Sequence, residues 1–181
     1  MTRVLVIAYG NPLRSDDGIA WHVADKLSSQ LPSTAQIMRV HQLTPELAED
    51  MSRAELVVFL DASARGQPGD VSCEAVSVES GKSNFSHYLA PQEILGVCER
   101  LYAAKPNAFL ISVSGEIFDH GPECSVSAVR AVPLVLEKVS GLMRQLEQES
   151  EMHAPLACNI AEQPRSGPVT TCGVDSPCPW S

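Results

Sequence analysis

Val4-Leu5-Val6-Ile7-Ala8-Tyr9-Gly10-Asn11-Pro12-Leu13-Arg14-Ser15-Asp16-Asp17-Gly18-Ile19-Ala20 is the stretch on which the reading of the fold turns. The unbroken apolar run Val4 to Ile7 is too short for a globular helix and reads as a buried strand. Gly10-Asn11-Pro12 ends it, because Gly and Asn tolerate left-handed backbone while Pro fixes φ and donates no hydrogen bond. Beyond the break Ile19, Val23, Leu27 and Leu31 recur at helical spacing, which starts an amphipathic helix near Asp16 or Asp17. Strand, tight loop and helix make the first half of an α/β unit, and the loop leaves the carboxyl edge of the sheet, where open α/β sheets place their ligands. The adjacent aspartates then have two readings. One caps the helix and both favour its positive end, or one caps while the other points into the crevice as a ligand or acid–base group.

Outward from this stretch, strand and helix signals alternate. Gln36 to Val40 reads as a second strand, and Pro45 to Met51 as a short helix with Thr44 as N-cap and Pro45 in its first position. Glu55-Leu56-Val57-Val58-Phe59-Leu60-Asp61 is a buried strand that ends in an acid, on the same sheet edge as the first loop. The plain reading of Asp61 is a turn former ahead of Ala62-Ser63-Ala64. Val71 to Val78 alternates like a half-exposed strand, and a helix from about Pro91 carries Ile94, Leu95, Cys98 and Leu101 on its apolar face. Ala108 to Ser114 is a further buried strand, followed by a loop with Glu116, Asp119, His120 and Glu123, which reads as solvated surface or as the rim of a groove. Ser125 caps the last helix, whose stripe is Val126, Val129, Leu136, Val139, Met143 and Leu146, and Pro133 should kink or divide it. The alternation favours a three-layer, doubly wound, mostly parallel twisted sheet with helices on both faces.

Composition bounds the rest. The 181 residues are 44% hydrophobic and 19% charged, enough for one α/β domain, read as residues 1–150. Residues 151–181 hold five prolines, two glycines and three cysteines without helical or strand period, and read as a flexible tail. A net charge of −9 without a basic stripe argues against a nucleic-acid partner. No signal peptide precedes Val4 and no apolar run approaches membrane-spanning length, so a cytoplasmic chain without membrane association is expected. The six cysteines include no C-x-x-C, which leaves neither a zinc knuckle nor a dithiol redox pair. H-E-x-x-H, G-x-S-x-G and a phosphate-binding Walker loop are absent too.

Gly10-Asn11-Pro12-Leu13-Arg14-Ser15-Asp16-Asp17-Gly18-Ile19-Ala20 resembles the G-N-x-L-x-x-D-D-G-x-G signature of the hydrogenase maturation proteases, with Ala20 in place of the final Gly. The segment Ser86-His87-Tyr88-Leu89 ahead of the Ile94-Leu95 helix is similar to the one bearing that family's metal-binding histidine, and the likeness spans about residues 3–146. It implies an aspartic-type or metal-dependent endopeptidase that removes a C-terminal extension from a nickel–iron hydrogenase large-subunit precursor after nickel insertion. It also implies that Asp17, Asp61 and His87 are both the catalytic residues and the metal ligands, with Asp16 a helix cap beside them. Two carboxylates and one imidazole are a donor set for Ni²⁺, Zn²⁺ or a related ion. The expected ion is the nickel of the substrate, with Zn²⁺ or Cd²⁺ as alternative occupants, and the expected state is a monomer. Two other readings stand beside this one: a non-catalytic, nickel-sensing chaperone of the large subunit, and a small-molecule-binding α/β module.

Overall fold

The computed structural model describes residues 3–78 and 89–152. His87 and the expected tail beyond Met152 lie outside the described residues. In chain order the elements are β1 (Val4–Tyr9), a 3₁₀ turn (Ser15–Gly18), α1 (Ile19–Leu27), β2 (Ala35–Val40), α2 (Leu47–Met51), β3 (Leu56–Ser63), β4 (Val71–Ala75), α3 (Pro91–Tyr102), β5 (Asn107–Ser114) and α4 (Val126–Met152). The strands form one sheet in the order β2-β1-β3-β5-β4, parallel except for β4, which pairs antiparallel with β5 at the edge. This is the expected doubly wound, mostly parallel sheet.

The central strands are apolar on both faces because both faces are covered. Val4, Val6 and Ala8 of β1, with Leu56, Val58 and Leu60 of β3, pack with α1 and α4. Leu5, Ile7, Val57 and Phe59 face the other way, into a second core with α2 and α3. Period-two alternation thus assigns each strand residue to one core, and no helix among the described residues is long and apolar enough to cross a membrane.

Several details depart from the expected pattern. Helix α2 starts at Leu47 rather than Pro45 and has no side-chain cap, so Thr44 does not cap it. Leu101 is 70% exposed, because α3 turns Ile94, Leu95 and Cys98 inward instead. In α4 the buried positions are Ala128, Ala131, Val132, Val135, Val139 and Leu146, while Val126 is 68% exposed and Val129 is also exposed. Two alanines hold the inward stripe there, since a small side chain lets the helix lie close to the sheet. Pro133 does not divide α4, which runs unbroken for 27 residues. Pro133 and Val129, whose carbonyl loses its amide partner to the ring, both lie on the exposed face, where water can take up the missing bond. Ser125 caps α4 as expected, its Oγ accepting the Ala128 N–H at 3.2 Å.

Candidate active site

From β1 the chain passes through α1 to β2 on one side, then returns through α2 to β3 on the other side. The junction of β1 and β3 is therefore the topological switch point of the sheet, the place at whose carboxyl edge open α/β sheets bind their ligands. Strand β1 pairs with β3 only as far as Ala8↔Leu60, whereas β3 continues beside β5 to Ser63↔Ser114. Asp61 is the first β3 residue past the point where β1 leaves. It lies inside the strand, not at its end as the apolar run alone suggests, because β5 carries the ladder on.

Gly10 makes the exit possible. Its φ of +135° is a conformation that L side chains rarely adopt, and a Cβ there would lie 2.1 Å from the Asp17 carbonyl oxygen. The chain folds back on itself so that the Asn11 N–H donates to Asp17 Oδ2 at 3.0 Å, and Asn11 Oδ1 accepts the Leu13 N–H at 3.0 Å. Asp17, in the 3₁₀ turn, is thus held over the end of β1 and remains half-buried. Gly10→Ala is expected to cost about 1–3 kcal/mol from backbone strain alone, and more from the clash. It should lower the melting temperature and displace Asp17. Thermal unfolding together with an assay of proteolysis checks this.

Asp61 is held from two directions. The Tyr9 hydroxyl donates to Oδ2 at 2.8 Å and the Ala62 N–H to Oδ1 at 2.8 Å. Burial pushes its carboxyl up to about 6; the two hydrogen bonds oppose that, and the negative charge of nearby Asp17 adds to it. Burial, reinforced by Asp61, likewise drives the Tyr9 hydroxyl far above its usual range, so it stays a proton donor. Two carboxylates are thus brought to one edge of the sheet, where the burial that disfavours ionised Asp61 is a cost that a bound cation relieves. Each Asp61 oxygen keeps lone-pair capacity beyond its single hydrogen bond, so the pair fits a metal ion as donors. Among the described residues no group of three or more His, Cys, Asp or Glu side chains is placed to hold a metal. His87, the third residue expected, lies outside them.

Asp16 has a different part from the one expected. It caps neither the 3₁₀ turn nor α1. The carboxylate is fully buried and accepts three backbone N–H groups from the loop between β5 and α4: Glu116 at 2.7 Å and Ile117 at 3.0 Å on Oδ2, and Ser125 at 2.6 Å on Oδ1. Burial alone would raise its carboxyl, but these bonds outweigh it and hold the group below the usual carboxylate range. The same two loops are joined by Ser15 N–H to the Gly121 carbonyl, Gly121 N–H to the Leu13 carbonyl and the Arg14 guanidinium to the Phe118 carbonyl. Glu116, Asp119, His120 and Glu123 are spread along that second loop, with Glu116, Asp119 and Glu123 on its exposed side beside His120. Sequence reasoning misses Tyr9, although aligning the apolar runs of β1 and β3 sets it beside Asp61 on one face.

No family model matches the chain, and neither does any curated protein. Solved structures do match. The hydrogenase maturating endopeptidase HybD from E. coli is similar over 80% of this chain and 93% of that one, with a TM-score of 0.66 and 21% identity. The NiFe hydrogenase maturation protease HybD from Thermococcus kodakarensis is similar over 78% of this chain and 99% of that one, with a TM-score of 0.60 and 22% identity. The maturation protease HycI from the same organism gives a TM-score of 0.62 at 17% identity over 79% of this chain and 93% of that one. The fold in which Asp17 and Asp61 are set is therefore the fold of the hydrogenase maturation endopeptidases.

Proposed function

We propose that this chain is an endopeptidase that removes the C-terminal extension of a nickel–iron hydrogenase large-subunit precursor once nickel has been inserted. The observation that carries the proposal is the pair Asp17 and Asp61, set at the switch point of a sheet with the maturation-endopeptidase fold and borne in part by the Gly10–Ala20 signature. In this reading Asp17, Asp61 and His87 hold the nickel of the substrate, and the same three residues carry the cleavage. Two carboxylates and one imidazole leave coordination positions open for an ion that is still bound elsewhere, whereas a structural site is closed by four protein ligands. Zn²⁺ or Cd²⁺ would enter the same donor set. The large-subunit precursor is the partner, the chain acts as a monomer in the cytoplasm, and neither nucleic acid nor membrane takes part.

The test is incubation with candidate nickel-loaded precursors, followed by mass measurement of the large subunit. Loss of one discrete C-terminal segment supports the endopeptidase. Tight binding without a change in mass would identify the non-catalytic chaperone instead, and no binding to any precursor would leave the small-molecule-binding module.

The working domain in this reading is residues 1–150. Leu146 is the last buried core residue of α4, so truncation after Ser150 removes no core side chain that is described. The truncated protein is expected to melt within about 2 °C of the full chain, as for a change worth under 1 kcal/mol, and to cleave at the same rate. A larger fall in either quantity would make residues 151–181 part of the working domain.

A further inference from the structure

We infer that Tyr9 is a positioning residue that fixes the Asp61 carboxylate in the orientation in which it meets a cation shared with Asp17. This rests on the site proposed above. The sheet itself brings the two side chains together. Strands β1 and β3 are in register through Ala8↔Leu60, so the next residue on each strand, Tyr9 and Asp61, project to the same face. Tyr9 is itself held, paired with Val40 of β2 and packed on the α2/α3 core.

The hydroxyl spends its one proton on Asp61 Oδ2 at 2.8 Å, while the Ala62 N–H holds Oδ1 at 2.8 Å from along the strand. With one bond to each oxygen, rotation of the carboxylate about its own axis is blocked, and the remaining lone pairs are kept for a ligand. No other side chain among the described residues donates to Asp61. A phenylalanine would fill the same space against the core, so the hydroxyl's contribution is directional. Partners of this kind, which orient a ligating group without touching the ion, typically govern ten- to hundredfold of metal affinity.

The experiment is calorimetric titration of the full chain with Ni²⁺ alone, on wild type, Tyr9→Phe, Asp61→Asn and Ile94→Val. The last removes one methylene, and no hydrogen-bonding group, from the fully buried Ile94 of the same core, and serves as a stability control. Tyr9→Phe is expected to raise the Kd for Ni²⁺ about ten- to hundredfold, and Ile94→Val to leave it unchanged at a similar fall in Tm. A Tyr9→Phe Kd within twofold of wild type, with Asp61→Asn abolishing binding, would overturn the inference and leave the site standing. The same holds if Ile94→Val weakens binding as much as Tyr9→Phe does. A wild type that does not bind Ni²⁺, or an Asp61→Asn protein that binds it as wild type does, would overturn the site and the inference together.

Discussion

Asp16→Ala is expected to cost about 3–5 kcal/mol of stability, since hydrogen bonds to a charged acceptor are worth about 1.5–3 kcal/mol each and three backbone donors, that of Ser125 buried, lose their partner. In melting temperature that is a fall of about 10 °C for a domain of this size. Asp16→Asn, which would be mild if the residue were a helix cap, is expected to be costly as well. Both carboxylate oxygens accept, Oδ2 from Glu116 and Ile117 and Oδ1 from Ser125, whereas an amide has one acceptor and must turn its own N–H₂ toward a backbone N–H. About 2–3 kcal/mol is expected for Asn. The pH dependence has a definite sign. The folded-state carboxyl lies below its unfolded value, so its contribution is present in full above about pH 4 and is lost as pH falls further. The gap in Tm between wild type and Asp16→Asn should therefore be widest at neutral pH and narrow in acid. A gap under about 2 °C at neutral pH, the scale of a change worth less than 1 kcal/mol, would return Asp16 to the role of a simple cap.

Asp61→Asn should separate stability from function. Cleavage of the nickel-loaded precursor is expected to fall at least about a hundredfold, since partners that merely orient a ligand already account for ten- to hundredfold, and Asp17→Asn should fall comparably. The fold should not suffer. Burial raises the Asp61 carboxyl to about 6 in the folded chain, above its unfolded value, so its stabilising contribution is present below about pH 4 and is lost as pH rises through 6. A neutral Asn escapes that cost. The Tm of Asp61→Asn relative to wild type is expected to improve between about pH 5 and about pH 7.5, an exchange of stability for activity that is usual at functional sites. Melting curves at the two pH values check it; a relative Tm that falls with rising pH would contradict the assignment of Asp61 as an acid whose ionised form burial disfavours.

How far the site is legible in the sequence depends on how local its causes are. β1, β3 and β5 announce themselves as apolar runs because they are buried on both faces, and the carboxyl-edge placement of Asp17 and Asp61 follows from chain direction alone. The part played by Asp16 cannot be read, because its partners are 100, 101 and 109 residues away and local pattern offers only a cap. Tyr9 is hidden for a similar reason: its role depends on the register of β1 against β3, which only pairing fixes. In α4 the eye follows Val126 and Val129, yet Ala128 and Ala131 face the core, since close packing rewards small side chains as much as apolar ones. The continuation of β3 past Asp61 depends on β5, a strand that comes much later in the chain.

The most direct test of the central claim presents nickel-free and nickel-loaded large-subunit precursor to the same metal-stripped enzyme, with the mass of the precursor as the readout. If Asp17, Asp61 and His87 engage nickel already carried by the substrate, only the nickel-loaded precursor is cut, and it is cut without any metal supplied to the enzyme. Equal cutting of both precursors, or activity that returns only when zinc is added to the enzyme, would contradict the account.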